Sequence, residues 1–433
     1  MGRRRFLGQS AAGLLILPSG TLFGGGSSAR RLNLALIGVG GRGTEHFDAF
    51  AGENIAALCD IDENHLAAAG ERFPGAKHYT DWRHCLDHPG VEAVVCSTTD
   101  HTHAPIAIQA MQRGLHVFCE KPLAITVEEA RETRRVYLEN RHKIATQVCT
   151  QLHANHNFRR VAELVREGAI GELHSADAWG TRQIPSDGLL PPKGDPPPHL
   201  HFDLWLASAP PHPYNPGYFD APVPGTNCLN WNMFWDFGAG QVGDMGSHTM
   251  DLAWNALDAE PPVEATAKGD PFHPEVTPVK LATSFAIPAN DWRPAIDLRW
   301  HQGGAMPEPP VETAFYGIGH GVMFSGSDGW LVANFGAHAI IPKGTPFGNR
   351  VPRTGVRGGF NFYQEWLNAC KGDLQTSCNF DYGSKMIETM LLGLVAFRAG
   401  GKVSYDAASG TTGDADTDAL LTKTYREGWS LHG

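Results

Sequence analysis

Apolar positions in the first third of the chain fall into short, largely unbroken runs. Leu32–Ile37, Ile55–Asp60, Val91–Cys96, His116–Cys119 and Lys143–Val148 have the length of strands buried on both faces. Between them the spacing turns helical, over Asn64–Phe73, Ala104–Gln112 and from Thr126 to about Asn140. Thr126 and Glu129 stand three apart ahead of that last stretch and form a capping box. Strand and helix alternating at this period predict a parallel, doubly wound α/β sheet. The pattern then changes. Phe158, Val161, Leu164 and Val165 form one stripe of a helix over Asn157–Gly168, with Gly168 as its C-cap, and Leu173–Arg182 reads as a strand. Val279–Ile287 and Ala295–His301 alternate apolar with polar, as antiparallel strands do, and Asn361–Cys370 and Ser384–Ala399 return to helical spacing.

Length and charge narrow the class. At about 150 residues per domain, 433 residues make two or three domains. Hydrophobic residues are 42% and charged residues 19%, enough for ordinary cores. With 35 Lys and Arg against 46 Asp and Glu, the net charge is −11, and no basic block follows the N-terminus, which argues against nucleic-acid binding. No run of 18 apolar residues follows the first 25, so stable membrane insertion is not expected. Of eight cysteines, Cys59, Cys96, Cys119 and Cys149 lie in or beside apolar runs, where a thiol serves as a small hydrophobe. Cys370 and Cys378 have the option of pairing if the protein is exported, but no C-x-x-C motif exists.

Residues 1–29 read as an address rather than as fold. Arg3-Arg4-Arg5-Phe6-Leu7 precedes the short apolar stretch Ala11–Leu17 and then a small, Gly-rich segment. This resembles a twin-arginine export signal, and implies a periplasmic or otherwise exported protein. Ser27-Ser28-Ala29 is a weak cleavage site, which would start the mature chain near Arg30.

The first strand ends in Gly38-Val39-Gly40-Gly41-Arg42-Gly43, a helix is expected from there through Phe50, and the second strand ends at Asp60, 22 residues beyond Gly38. Strand, glycines, helix, strand and acid at this spacing form a dinucleotide-binding, Rossmann-type unit. Gly38 makes the tight turn, Gly40 lets backbone approach a pyrophosphate, and Gly43 lets helix pack on strand. The helix start offers free N–H groups to phosphate. Asp60 would accept the ribose hydroxyls and repel a 2′-phosphate, which favours NAD over NADP. Two polar clusters, Thr98-Thr99-Asp100-His101-Thr102-His103 and Glu120-Lys121-Pro122, follow later strands, at the sheet edge where such folds bind ligands.

Glu120-Lys121-Pro122 after a strand, downstream of that fingerprint, resembles the Gfo/Idh/MocA oxidoreductases. The stretch Asp236–His248, glycine-rich and ending in Asp244-x-x-x-His248, matches the family's pattern, and Asp203-Leu204-Trp205-Leu206 with Pro213-Tyr214-Asn215-Pro216 is similar to a secreted branch. Thr99 departs from the family, which often has proline there. The resemblance implies a second, α+β domain whose open, mostly antiparallel sheet covers the cofactor and whose free face makes a homo-oligomer, a dimer or tetramer. It implies Lys121, Asp244 and His248 as the catalytic trio. The cofactor set is Gly38, Gly40, Gly41, Arg42, Gly43, Asp60, Ile61, Thr98, Asp100, His103, Glu120 and Lys121. The domains are 1–29 signal, 31–152 NAD-binding, 153–406 substrate-binding and dimerisation, and 407–433 a polar tail expected to be mobile.

Alcohol oxidation by NAD needs a base for the hydroxyl proton, a donor or cation on the C–O bond, and a carbinol hydrogen facing the nicotinamide. Lys121 supplies an ammonium on the cofactor side, next to Pro122. His248 lies four residues after Asp244, on the same face of a helix, and its imidazole suits base work. Asp244 would orient that ring or bind substrate hydroxyls. His103 either caps the helix near Ala104 or touches the cofactor ribose, and Asp100 also suits a local turn. The histidine pairs His101–His103, His153–His156 and His199–His201 lack flanking ligand spacing, so no metal is assigned.

Twelve prolines between Pro185 and Pro224 forbid regular structure and suggest an arm, a lid or a partner contact. Of the aromatics beyond it, Trp235 is the candidate to stack on a sugar, and Trp231, Phe234 and Phe237 are expected in the core. The substrate set is therefore Lys121, Trp235, Asp244, His248 and His153, for a small carbohydrate. Outside the cytoplasm NAD is not freely supplied, so a tightly bound cofactor returned to its starting state is expected. That leaves open net oxidation of a sugar or polyol, or a redox-neutral glycoside cleavage through a transient keto-sugar. The second needs a further base, for which His153 and His156 are candidates.

Overall fold

The computed structural model describes residues 30–220, 227–305, 307, 319–344, 354–355 and 359–433. Residues 1–29, read above as an export signal, and the end of the Pro-rich segment lie outside the described residues. The first sheet has six parallel strands, β1 (Asn33–Ile37), β2 (Asn54–Cys59), β3 (Lys77–Tyr79), β4 (Ala93–Cys96), β5 (His116–Cys119) and β6 (Thr146–Val148), in the order β3-β2-β1-β4-β5-β6. The chain leaves β1 in one direction and returns to β4 on its other side. That reversal opens a crevice at the carboxyl ends of β1 and β4.

The helix after β4 runs from Asp100 to Gln112, one turn earlier than its apolar pattern predicts. Pro105 cannot donate to the carbonyl of His101, so the sequence reads as a boundary there. Thr99 in extended conformation nevertheless starts the helix, and Asp100–His103 become its first turn. At the next helix, Val127–Asn140, the Glu129 N–H donates to Thr126 Oγ1 at 3.2 Å. The reciprocal bond shifts by one residue, since the Ile125 N–H reaches Glu129 Oε2 at 3.0 Å.

The second sheet is mixed. Its strands are β7 (Leu173–Gly180), β8 (Glu264–Gly269), β9 (Leu281–Ile287), β10 (Ile296–Gln302), β11 (His320–Gly326), β12 (Gly329–Ala333), β13 (Ala337–Pro342), β14 (Thr354–Gly355) and β15 (Lys402–Ser404). The order is β14-β13-β12-β11-β7-β10-β9-β8-β15, and only β7 and β10 pair in parallel. Leu281, Thr283, Phe285 and Ile287 of β9 point inward while Ala282, Ser284 and Ala286 stay half-buried on the other face. The inner face is covered by two almost wholly buried helices, Ser247–Leu257 and Phe380–Arg398. The second of these also packs on Val127–Asn140 of the first unit and so joins the two sheets.

The chain returns to the first sheet twice. Phe362 and Trp366, on the helix Phe362–Lys371, pack into the cluster of Leu34, Phe50 and Phe118, and the Trp366 indole donates to Ala145 O at 3.4 Å. The tail, expected to be mobile, also packs back. Leu421 and Leu431 are buried, the Arg83 guanidinium lies 4.1 Å from the Trp429 ring centroid, and Lys423 pairs with the buried Glu129 carboxylate at 2.6 Å. Its polar composition hid four widely spaced apolar anchors, Leu421, Tyr425, Trp429 and Leu431. All eight cysteines are unpaired, Cys370 and Cys378 among them. Among the described residues no helix is long and apolar enough to cross a membrane.

Removing residues 415–433 strips those anchors, and the melting temperature in scanning calorimetry should fall by several degrees. An unchanged melting point would show that the tail contributes nothing to the fold.

Candidate active site

The crevice is floored by the turn after β1. Gly38 and Gly41 have positive φ of 81° and 48°. A Cβ on Gly43 would lie 1.9 Å from the Gly38 carbonyl oxygen, so only glycine lets the turn close on itself. The helix expected here starts as a 3-10 turn, Gly41–His46, and becomes α-helical over Phe47–Phe50. Asp60 draws the end of β2 onto the turn. Its Oδ2 accepts from the N–H groups of Val39 at 2.8 Å and Gly40 at 3.1 Å, and its Oδ1 from the N–H of Asp62 at 3.0 Å. His65 stands beside it at 3.3 Å, and that hydrogen bond raises the imidazole pKa. Ser97 Oγ and Trp82 Nε1 face the crevice region with no hydrogen-bond partner among the described residues. A glycine turn, an acid on the neighbouring strand and unsatisfied polar atoms along the floor fit a dinucleotide.

The other end of the same cleft is built by two segments far apart in sequence. Lys121 leaves the end of β5, through a cis bond to Pro122, and Asp244 lies in a π-helical turn, Val242–Gly246, that runs into the helix Ser247–Leu257. The Lys121 ammonium donates to Asp244 Oδ1 at 2.5 Å, and Asp244 is 2% exposed. Burial opposes both charges, but each outweighs it for the other. Lys121 is held above the usual lysine range, and Asp244 below the usual carboxylate range. His248 lines the cleft with them. Its burial, and the charge of Lys121, lower its pKa to about 3, so the imidazole is neutral at pH 7. Its Nδ1 is buried with no partner among the described residues.

Other members of the sequence set take different places. Gly38, Gly40, Gly41, Arg42, Asp60, Ile61, Thr98, Asp100, His103, Glu120 and Lys121 all line the cleft, while Gly43 lies behind it. Glu120 is spent on the protein, accepting from Arg42 Nε at 2.7 Å and lying 3.0 Å from His46 Nε2. It braces the glycine turn against β5. His103 lies within the first turn of the helix Asp100–Gln112 rather than ahead of it, and lines the cleft. Its ring nitrogens lie 2.7 Å from Pro122 O and 3.0 Å from Thr98 O, bracketing the two polar clusters. Burial pushes Asp100 up to about 7.

Two substrate expectations are corrected. Trp235 lies outside the cleft, where its indole donates to His273 O at 3.0 Å and Arg398 sits 5.4 Å from its ring centroid. His153 is turned away into a buried pair with Asp251 at 3.0 Å, beside Cys378 and Tyr382. Burial opposes its protonation, but Cys378 and Asp251 raise its pKa well above the ordinary value. His156 opens the helix His156–Arg166 and is likewise outside the cleft lining.

Sequence reasoning missed the opposite wall. The Pro-rich segment crosses the cleft as a strap. The His201 N–H donates to Ile61 O at 2.8 Å, the Glu63 N–H to His199 O at 2.9 Å, and Arg426 of the tail donates to Ala207 O at 2.9 Å. Trp205, Tyr218, Phe219 and Trp231 line the cleft from this side, and Phe234 and Phe237 pack behind them. Arg182, Cys228 and Asn232 also line it. Each is a single polar residue in an irregular stretch, and no local pattern marks it.

A family model for an oxidoreductase family with an NAD-binding Rossmann fold matches residues 32–148, and the model of that family's C-terminal alpha/beta domain matches residues 187–281. Two stretches of the chain thus match the two domain models of the Gfo/Idh/MocA oxidoreductases. It is 30% identical over 150 residues to inositol 2-dehydrogenase of Corynebacterium glutamicum, covering 34% of this chain and 44% of the relative. It is 32% identical over 163 residues to a glycosyl hydrolase family 109 protein of a Shewanella species, covering 34% of each. The chain thus spans less than half the length of these relatives. Among solved structures, levoglucosan dehydrogenase in complex with NADH and levoglucosan superposes with a TM-score of 0.61 at 17% identity, over 87% of this chain and 99% of that one, a likeness of fold. The family's first domain is NAD-binding, and here that domain carries the turn at Gly38.

Two outcomes test this geometry. Gly43→Ala should cost at least tenfold in NAD affinity by calorimetric titration, because the new methyl displaces the turn. His248 binds a proton near pH 6.5 when unfolded but only near 3 when folded. Stability should therefore fall as pH drops from 6.5 towards 3, and His248→Gln should flatten that part of the urea-midpoint profile. An identical profile in the variant would mean that the imidazole titrates normally.

Proposed function

We propose that the protein oxidises a hydroxyl of a sugar or polyol with NAD, in an exported compartment and with a retained cofactor. The observation that carries this reading is the meeting, in one cleft, of the Gly38–Gly43 turn and Asp60 with Lys121, Asp244 and His248. A bound nicotinamide supplies the acceptor for the hydrogen of a carbinol carbon. His248, in the cleft with Lys121 and Asp244, is the imidazole placed to take the hydroxyl proton. The Lys121 ammonium, held by Asp244, stabilises the negative charge that develops on that oxygen. Asp60, in the cleft lining, would hold the ribose hydroxyls of a bound dinucleotide and disfavour a 2′-phosphate, so NAD is preferred to NADP. The strap tied to Ile61 and Glu63 would cover the neighbouring end of a bound dinucleotide and slow its release.

A redox-neutral glycoside cleavage is the second reading. It is favoured by the covered cofactor end and by the match to the family 109 protein. It requires the sugar to be oxidised and restored within one turnover.

Denaturing the purified protein should release NAD or NADH, identified by mass spectrometry, and adding substrate should change the near-ultraviolet absorbance of the native protein. Lys121→Met should abolish that change while nucleotide stays bound. If cleavage is the net reaction, an aryl glycoside should release its phenol with no net NADH. Protein that neither holds nor binds a nicotinamide nucleotide would overturn both readings.

A further inference from the structure

Resting on that reading, we infer that the substrate carries a carboxylate, as a sugar acid does, and that Arg182 receives it. Arg182 follows β7 by two residues, and its backbone N–H donates to Gln241 Oε1 at 3.0 Å. That bond fixes the base of the side chain against the turn that holds Asp244. The guanidinium lines the cleft, half-exposed. Its nearest charged partner is Asp244 Oδ2 at 3.6 Å, beyond hydrogen-bond reach, and Oδ2 itself has no hydrogen-bond partner among the described residues. The side chain of Arg182 thus donates no hydrogen bond to any described residue.

The local charge count points the same way. Asp244 is already taken by Lys121 through Oδ1. Glu120 is taken by Arg42 and His46. His248 adds no charge at pH 7. Asp100, with burial pushing it up to about 7, offsets only part of a charge. Lys121 and Arg182 therefore share one carboxylate at this end of the cleft. A guanidinium pairs best with a planar anion through two parallel N–H groups, which a carboxylate matches. A dianionic phosphate would meet the buried Asp244 carboxylate with twice the repulsion. The hydroxyl-bearing part of the molecule has its own partner. Asn232, 3% exposed, lines the cleft with its Oδ1 unpartnered and accepts from a donor such as a sugar hydroxyl. Neutral polyols satisfy Asn232 but leave Arg182 to water.

The test uses the full NAD-loaded protein and hexuronates of the gluco, galacto and manno series. The matching neutral hexoses and hexose 6-phosphates serve as controls. Binding is read by calorimetric titration, and turnover by absorbance at the NADH band. At least one hexuronate should bind tenfold or more tightly than its neutral hexose, with affinity weakening as salt rises. Arg182→Gln should collapse that discrimination towards unity, Arg182→Lys should restore part of it, and circular dichroism should show both variants folded. Equal affinity for acid and neutral sugar, or preference for the phosphate, would overturn the inference while leaving the oxidoreductase reading intact if any sugar is oxidised. A loss in Arg182→Gln that is equal for acid and neutral sugars would also overturn it, since Arg182 would then act only through Asp244. Failure of every sugar to bind or reduce the cofactor would overturn both.

Discussion

The ion pair between Lys121 and Asp244 is the constraint on which the site depends. Lys121 belongs to the end of β5 in the first sheet and Asp244 to a turn of the second unit, so the pair exists only when the two are docked. Both charges are desolvated. Such a pair roughly offsets its own burial cost, yet breaking it leaves one charge stranded at a cost of about 3–5 kcal/mol. It therefore adds little net stability but strongly specifies how the units meet. The same contact aims the ammonium and places the turn that leads to His248.

The electrostatics follow from that pair. Burial first, and then the Lys121 charge, keep the His248 imidazole neutral, while Asp244 acts the other way. The carboxylate that holds Lys121 also lies near Arg182, so two cations share one anion at the substrate end. At the cofactor end the logic is reversed. Asp60 and Glu120 line the cleft, but their bonds to backbone N–H groups, to Arg42 and to His46 also fix the shape of the turn.

The rest of the chain holds these ends in place. The helix Phe380–Arg398 packs on both sheets, and Arg131 donates from one unit to Glu388 of the other at 2.8 Å. Phe362–Lys371 and the tail return to the first sheet after the second has been built. The prolines leave room for a short α-helix, Phe202–Leu206, in the strap, and it is tied at both ends, by His199 and His201 to Ile61–Glu63 and by Arg426 to Ala207. The tail thus secures the wall that covers the cleft.

The alternation of apolar runs and helical stretches, the glycines at 38–43 and the acid at 60 are local properties, and they alone determined the dinucleotide-binding unit and the turn that cradles its ligand. Backbone geometry is short-range, so a glycine needed for φ > 0 or close approach shows in the sequence itself. The association of Lys121, Asp244 and His248 came from resemblance of motifs, not from spacing, because 123 residues separate the first two. Trp235 and His153 show the limit. A tryptophan and a histidine look alike whether they face a cleft or a core, and Arg398 and Asp251 decided their places. The mobile-tail expectation missed for the opposite reason, since composition averages over a segment while burial depends on a few anchors meeting the right surface. Arg182 and Asn232 acquire meaning only where folding sets them, one cation sharing a carboxylate already bonded to Lys121 and one buried acceptor without a donor. Such imbalances are sums over neighbours distant in the chain, which only the tertiary structure brings together.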